Sequence, residues 1–510
     1  MFKMKVWIVF VMFPIFCESA KVLGVFNHPG TSHTLLGKIL LKKLAERGHD
    51  VVMISSFPME EIVPRYKDIF LFSALEDLKQ RHEKNKNKHM GIEELKNMSM
   101  QHTEETFKNL EVQKLLHSNE NFDLIIIDWF YNEATLIFGH IYKAPVIYIS
   151  SFGNMALLSD FTGNVLPYSY VPGAGIFITD EMSFKERVLM TLFNLAINTL
   201  FIPRRKTAHY ELLKRYFDNP PTIPELQENV ALVLSNSHFS FETVRPYTPN
   251  IIPVGGFHVD EPKNLPENLQ TFLDSAPEGV IFFSLGTQKS SSSLSKEVLT
   301  NILKGLGRIA QTVLWKYEAS DLVDIPKNIK IVKWVPQADV LAHPNLKLFI
   351  THGGMLSLIE SIHYRVPMIC IPFSGDQLTN AAFIESREIG LHLSPDNITE
   401  NTLVDSIKEV TTNPKYQEQI NFRSTLLRQQ PMKPLETAIY WTEHVITHKH
   451  ANHLKPFATK LTWYKYYLID VLVVLLCSFF ILVAVVIFIS KMVFKNVYKL
   501  FTTTKKEKVV

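Results

Sequence analysis

The chain has 510 residues, about three times the usual domain length, so two domains with additional segments are expected rather than one. Lysine and arginine total 53 against 50 aspartate and glutamate, with 20% charged and 46% hydrophobic residues, which argues against a disordered or collagenous chain. The net charge of +3 comes from the two ends, since residues 491–510 hold six Lys and one Glu and residues 1–20 two Lys and one Glu, so the folded remainder is net negative and has no basic footprint for nucleic acid.

Met1 to Lys5 is basic, Val6 to Phe16 is apolar, and the small residues Cys17, Ser19 and Ala20 follow. That order reads as a secretory signal over residues 1–20, with an uncleaved anchor as the alternative. From Lys21 come Val22-Leu23-Gly24-Val25-Phe26, a Gly/Pro/Asn loop, a helix-period run from Leu35 to Ala45 and a strand from Val51 to Ser55. This is a βαβ unit opening a parallel sheet. Leu124 to Ile127 reads as a strand buried on both faces, and Pro145 to Ile149 follows as another after a helical stretch. One α/β domain is expected over 21–244. Within it the apolar stretch Met182 to Ile202 reads as a core helix, although its composition also suits contact with a small apolar molecule or a membrane.

Residues 245–278 are rich in Pro, Asn and Gly and read as a linker. A second α/β domain is expected over 279–450, with strands at Val280–Phe283, Val313–Trp315, Ile329–Val332, Leu346–Ile350 and Pro367–Ile371. Two doubly wound domains facing each other enclose a cleft, and open α/β sheets bind ligands at the carboxyl ends of their strands.

After a juxtamembrane segment, 451–467, a transmembrane helix is expected over 468–490, because Val471 to Ile489 holds nineteen residues without a charge. At ~1.5 Å per residue this run spans about 28 Å, near the hydrocarbon thickness of a bilayer. A buried core helix is the alternative. The lysines beyond it put the tail 491–510 in the cytosol by the positive-inside rule, which makes the chain single-pass and type I, with everything from about residue 21 to 467 lumenal. Lys506 and Lys508 have the spacing of a dilysine-type retrieval signal of the endoplasmic reticulum, and equally that of a solvated basic tail facing anionic lipid. Of three cysteines, Cys17 falls in the signal and Cys477 in the membrane, which leaves Cys370 without an intrachain partner. Asn97-Met98-Ser99 and Asn397-Ile398-Thr399 are glycosylation sequons.

The chemistry concentrates in Phe349-Ile350-Thr351-His352-Gly353-Gly354-Met355-Leu356-Ser357, continuing through Glu360 to Pro367, Pro372 and Asp376-Gln377. A buried strand there ends in a Gly-Gly turn that opens a helix, whose free N–H groups and positive dipole suit a phosphate. The next strand is expected to deliver Asp376 and Gln377 at its carboxyl end, where they could grip sugar hydroxyls. This segment resembles the signature of the UDP-glycosyltransferase superfamily, glycosyltransferase family 1. Trp334-Val335-Pro336-Gln337 and His343-Pro344 precede it at the family's spacing, and Phe283-Ser284-Leu285-Gly286-Thr287 opens the second domain as the family does. The likeness covers nearly the whole chain and is strongest to the membrane-bound animal type, insect UDP-glucosyltransferases above all.

The resemblance implies a GT-B fold, two Rossmann-like domains facing across a cleft. Position by position, it implies that Trp334 stacks on uracil, that Gln337 lies at the nucleoside and that Glu360 holds the ribose hydroxyls. It also implies that His352 and Ser357, at the helix start after Gly354, contact the diphosphate, with the loop of Ser284, Gly286 and Thr287 near it, and that Asp376 and Gln377 read the donor sugar. A hydroxyl attacking an anomeric carbon must lose a proton, and His33 occupies the family's position for that base. Asp128, at the end of the Leu124–Ile127 strand, matches the acid that orients it; His28 as base and Asp128 as a helix cap are the alternatives. The implied reaction is one inverting displacement from a UDP-sugar with no cofactor resident in the protein and no required metal, and no Cys or His metal spacing is visible in the sequence.

Family members that use glucuronate carry an Arg before the Asn-Ser pair at the end of the first domain, whereas here Ser235 precedes Asn236-Ser237. A carboxylate without that Arg would be poorly paired, so UDP-glucose is expected as donor, with UDP-glucuronate as the alternative. Lys316 stands where vertebrate relatives have Arg, which keeps the charge and loses the fork. The acceptor is expected to be a small lipophilic alcohol or phenol bound by loops in 56–120 and 150–210, for detoxification or for conjugation of hormones and metabolites. Homo- or hetero-oligomers stay open. Two other classes compete: a catalytically silent lumenal binder of lipophilic ligands, and a dehydrogenase, which the missing Gly-x-Gly-x-x-Gly disfavours.

Overall fold

The computed structural model describes residues 19–72, 91–153, 156–286, 294–318 and 322–506. The signal segment up to residue 18, Thr287 and Lys508 lie outside the described residues.

The first sheet is parallel and seven-stranded, in the order β3-β2-β1-β4-β5-β6-β7. Its strands are β1 (Lys21–Phe26), β2 (Asp50–Ser55), β3 (Tyr66–Phe70), β4 (Leu124–Asp128), β5 (Val146–Ser150), β6 (Val230–Ser235) and β7 (Ile251–Pro253). The second sheet, also parallel, runs β10-β9-β8-β11-β12-β13. These are β8 (Val280–Ser284), β9 (Thr312–Lys316), β10 (Ile329–Val332), β11 (Leu346–Thr351), β12 (Met368–Cys370) and β13 (Gly390–His392). Both sheets follow the doubly wound order in which strand succession reverses beside the first strand.

Each sheet is apolar on both faces because helices cover both. In β1, Leu23 and Val25 enter one core while Val22 and Phe26 enter the opposite one, and β4 divides Ile125 and Ile127 from Leu124 and Ile126 in the same way. In β8, Val280 and Phe282 face one core and Ile281 and Phe283 the other. These near-continuous apolar runs are the pattern that parallel strands impose.

Three expectations about organisation change. Residues 245–278 are not all linker, since Ile251–Pro253 pairs with β6 as the seventh strand and Glu267–Asp274 is a helix whose Leu269 and Leu273 are buried. The second domain does not keep all of 279–450. The helix Pro434–His448 returns to the first sheet, where Ala438, Ile439 and Val445 share a core with Leu36, Leu40 and Leu44 of the helix Thr31–Glu46. Those apolar positions match the first domain's open face, and each large side chain buried there contributes about 1.5–3 kcal/mol. Finally, Met182 to Ile202 is not a core helix. Helix Phe184–Ala196 buries Met190 and Asn194 and leaves Val188, Leu189, Leu192 and Leu195 exposed.

Residues from 456 onward form a unit of their own. It holds a short helix, Trp463–Tyr466, and a long one, Ile469–Lys506, of which Ile469–Lys499 is long and apolar enough to cross a membrane. The helix does not stop near 490 as expected, because nothing between Lys491 and Lys499 breaks it; Lys491, Lys495 and Lys499 recur every four residues along one face.

Candidate functional site

Both candidate clusters sit at the reversal points of the two sheets. In the first, β1 and β4 are neighbours, so the loop after Phe26 and the residue ending β4 meet at one carboxyl edge. His33, three residues into the helix Thr31–Glu46, places Nδ1 2.8 Å from Oδ2 and 3.0 Å from Oδ1 of Asp128. Both side chains are buried. Ser151, just past β5, donates its hydroxyl to Asp128 Oδ1 at 3.1 Å. Asn132 donates to the Asp128 carbonyl at 2.9 Å and to Asn27 Oδ1 at 3.0 Å, which ties the loop after β1 to the end of β4.

An Asp–His contact of this kind fixes the tautomer. With Nδ1–H donating to the carboxylate, the lone pair lies on Nε2, the atom that can take a proton. The rings of Phe130 and Phe152 stand 5.2 and 4.9 Å from the imidazole and wall it from solvent. His28 is placed differently. Its Nδ1 accepts from the Gly30 N–H at 2.9 Å, and burial, reinforced by His33 and His102, holds its pKa well below the usual range. It packs against His33 at 4.4 Å and acts as a neutral spacer.

In the second sheet β8 and β11 are neighbours, which brings Ser284–Gly286 beside His352–Gly354. The His352 ring lies between two glycines: a Cβ on Gly286 would stand 2.7 Å from its Cε1, and one on Gly354 2.6 Å from its Nε2. Burial first, then the charge of Lys316, lowers the His352 pKa to about 4, so the ring is neutral at physiological pH, and its buried Nδ1 has no hydrogen-bond partner. Lys316 Nζ donates to the Gly286 carbonyl at 2.9 Å and pairs with Glu318 at 3.0 Å. Lys316 thereby braces this loop with one donor, as a lysine rather than an arginine fork can.

Helix Met355–Tyr364 starts at Gly354 and projects Ser357 and Glu360 from successive turns. Gln337 binds both, donating to Glu360 Oε2 at 2.7 Å and to Ser357 Oγ at 3.0 Å. Burial raises the Glu360 pKa to about 7, against the opposing donation from Gln337. His258, 3.8 Å from Glu360 Oε1, does not neutralise it, because burial lowers its own pKa to about 4. Trp334 is 70% exposed, the state of a flat ring available for stacking.

Asp376 and Gln377 do not end a strand as expected; they open the helix Asp376–Ser386 after a loop from β12. Asp376 accepts from Asn380 Nδ2 at 3.1 Å, and burial raises its pKa to about 6, partly opposed by N–H donors, by Asn380 and by His33 nearby. Gln377 Oε1 accepts from the N–H groups of Phe373 and Ser374 at 2.8 and 3.3 Å and holds the loop shape. A cavity between the domains is lined by Phe152, Ile178, Phe241, Asp376, Asn380 and Phe383, among others.

The family described as UDP-glucuronosyl and UDP-glucosyl transferase matches residues 20–508. The chain belongs to this family. Like its relatives, this UDP-glycosyltransferase acts on UDP-sugars. It is 34% identical to UDP-glycosyltransferase UGT5 of Dactylopius coccus over 492 residues, covering 92% of this chain and 91% of that one. It is 32% identical to UDP-glucuronosyltransferase 1A8 of Rattus norvegicus, covering 86% of each. Among solved structures the calicheamicin glycosyltransferase CalG4 shares the fold with a TM-score of 0.58 at 16% identity, covering 84% of this chain and 99% of that one. The two-domain GT-B architecture of the UDP-glycosyltransferase is thereby shown.

Several residues of the site carry no motif. Ser151, Asn132 and Asn27 support Asp128, Asn380 supports Asp376, and Lys316 braces the Gly286 loop. Ser151 was discoverable in principle, since it follows the strand paired with β4. The sequons lie apart from the cleft residues in sequence: Asn97 is exposed within helix Ile92–Lys108 while Ser99 is buried, and Asn397 is exposed in a 3₁₀ turn.

Proposed function

We propose that this UDP-glycosyltransferase moves glucose from UDP-glucose to a hydroxyl of a small lipophilic acceptor with inversion, giving a β-glycoside. His33 Nε2 takes the acceptor proton as the new C–O bond forms at the anomeric carbon, the bond from that carbon to the UDP oxygen breaks, and Asp128 stabilises the resulting imidazolium. UDP leaves toward the start of helix Met355–Tyr364, where the backbone dipole, His352 and Ser357 meet its charge. Trp334 stacks on the base, Glu360, held by Gln337, takes the ribose diol, and Asp376 and the Gln377 amide NH₂ take sugar hydroxyls. The observation that carries this reading is the buried His33–Asp128 pair at 2.8 Å, beside Phe152, which lines the interdomain cavity together with Asp376.

Glucose as donor is supported by Ser235, which is fully buried and receives the Ser237 hydroxyl at 2.9 Å, so that strand end offers no cation to a sugar carboxylate. One observation favours UDP-glucuronate: Arg245 lines the interdomain cavity, with the Glu242 carboxylate 3.7 Å from its guanidinium. The enzyme is anchored in the endoplasmic reticulum membrane with both catalytic domains lumenal, and it serves detoxification or conjugation of endogenous compounds. The apolar span Ile469–Lys499 and the lysines that follow support that placement.

Membranes expressing the chain, given one simple phenol with UDP-glucose and UDP-glucuronate in parallel and His33→Ala as control, test it. Glucoside that vanishes in the variant is the expected result. Glucuronide overturns the donor assignment, and UDP-sugar binding without product across an acceptor panel favours the silent binder.

A further inference from the structure

Residues 163–183 of the first domain contain neither helix nor strand. Among the described residues, 172–180 share one backbone bond of their own, from the Ile178 N–H to the Ile176 carbonyl at 3.0 Å. A segment with so little internal pairing takes its shape from what it touches. On one side it is held by its own domain, where Ile178 is buried with Met182 and Met190. On the other side it lies on the helix Asp376–Ser386 of the second domain. Thr379, in the first turn of that helix, accepts from the Gly175 N–H at 3.0 Å, and its hydroxyl is shared between the carbonyls of Gly173 and Ile176, each at 3.3 Å. Past the helix's far end Arg387 donates to Asp180, and the Phe177 ring stands 4.6 Å from that of His392. The backbones also meet directly, since a Cβ on Gly175 would stand 3.4 Å from the carbonyl oxygen of Gly375, the residue before Asp376.

Loop and helix line one cavity, with Pro172, Ala174 and Ile178 from the loop and Asp376, Asn380 and Phe383 from the helix. Phe152 lines it too, 4.9 Å from the His33 ring. An acceptor whose hydroxyl reaches His33 and whose reaction partner is a sugar held by Asp376 has this cavity for its apolar body, and the loop is one wall of it. We propose that Thr379 is a positioning residue of the acceptor site: with Arg387 it fastens residues 172–180 to the helix that reads the donor sugar, so that the second domain sets the shape of the first domain's acceptor wall. The position needs a hydroxyl rather than bulk. Valine has the same outline and leaves the Gly175 N–H and the two carbonyls without this partner, whereas serine keeps all three contacts. Arg387 makes the second fastening without lining the cavity, so its effect on an acceptor passes through Asp180 and the helix. The inference rests on the reading that the acceptor occupies this cavity, and the test separates the two.

Calorimetry on the full-length chain in phosphatidylcholine vesicles measures the Kd of UDP and, with UDP saturating, the Kd of p-nitrophenol as a probe acceptor. Neither quantity depends on turnover or on which sugar the enzyme transfers. Thr379→Val and Arg387→Gln should each weaken the phenol about fivefold or more while the Kd of UDP stays within about twofold, and Thr379→Ser should keep both at the values of the unaltered chain. Ala174→Trp, which fills the cavity from an exposed position of the loop, should also weaken the phenol. Loss of UDP affinity in step with phenol affinity in the Val variant overturns the assignment, since the helix itself has then lost its shape. Unchanged phenol affinity in Thr379→Val, with a loss in Ala174→Trp, overturns the fastening and leaves the acceptor reading intact. Phenol binding that is absent from the unaltered chain, or indifferent to Ala174→Trp, overturns both together.

Discussion

Gly286 and His352 lie just past the ends of neighbouring strands, and the glycine leaves the space that the imidazole fills: a side chain there would begin 2.7 Å from the ring. Gly286 also has φ +83°, a conformation that other residues adopt only under strain. Gly286→Ala should therefore displace His352 and raise the KM for the UDP-sugar about tenfold or more, equivalent to roughly 1.4 kcal/mol, with kcat changed less. In a His352→Ala background the same substitution should add little, because the clash is gone and only backbone strain remains. Steady-state kinetics on the four chains of the cycle decide this.

The His33–Asp128 pair predicts a different kinetic signature. His33→Ala and Asp128→Asn should each lower kcat by about 10²–10⁴-fold while leaving the affinity for UDP nearly unchanged, since the proposed mechanism uses both only at the acceptor hydroxyl. The double variant should be little worse than either single one, as expected of residues that act as a unit. Ser151→Ala, which removes one donor to Asp128, should have a smaller effect in the same direction.

Glu360 couples stability to pH. Its carboxyl has a pKa of about 7 in the folded chain, whereas an unfolded glutamate ionises near ~4.3. Between those values the folded state keeps a proton that the unfolded chain has lost, so stability falls as pH rises through that window, by something on the order of 1–3 kcal/mol. Glu360→Gln should flatten this part of the profile, as denaturant titrations at pH 5 and 7.5 would record. A ribose diol bound to the ionised carboxylate reverses the preference, so calorimetry of UDP binding near pH 6.5 in buffers of different ionisation enthalpy should show net proton release, and the Gln variant should show less.

A buried ion network anchored in the turn after β4 bears on folding. Glu133 lies 2.6 Å from Arg205 and 3.2 Å from His209, all three fully buried, and Arg205 stands over the rings of Tyr131 and Phe201 at 5.6 Å. Burial lowers the His209 pKa, so the compensated charge is that of Arg205. Glu133→Ala leaves a guanidinium buried without its anion and should cost about 3–5 kcal/mol of stability by chemical denaturation. Replacing Glu133 and Arg205 together by apolar residues of similar size should cost less.

The elements of both sheets were legible because parallel strands buried on two faces leave unbroken apolar runs such as Leu124–Ile127. The candidate site residues could be named from sequence because they lie in contiguous motifs at strand ends, as His352 to Glu360 do. Other features were not. Gln377 was expected to read sugar from a strand end, yet its oxygen is spent on two backbone N–H groups of its own loop, which no residue pattern reveals. The supporting polar atoms of Ser151, Asn132 and Asn380 are single residues whose partners are set by tertiary packing. Phe184–Ala196 was misread as core because periodicity reports that a stripe exists and is silent on whether protein covers it.

The return of Pro434–His448 to the helix Thr31–Glu46 has a consequence for biosynthesis. The first domain's own core includes Ala438, Ile439 and Val445, so it cannot close until the ribosome has delivered the entire second domain. During that interval the face bearing Leu36 and Leu40 waits uncovered, open to chaperones and to wrong partners. Finished protein is also crossed twice between its lobes, once on the outward path and once on the way back, so any opening of the cleft must bend both crossings about a common axis.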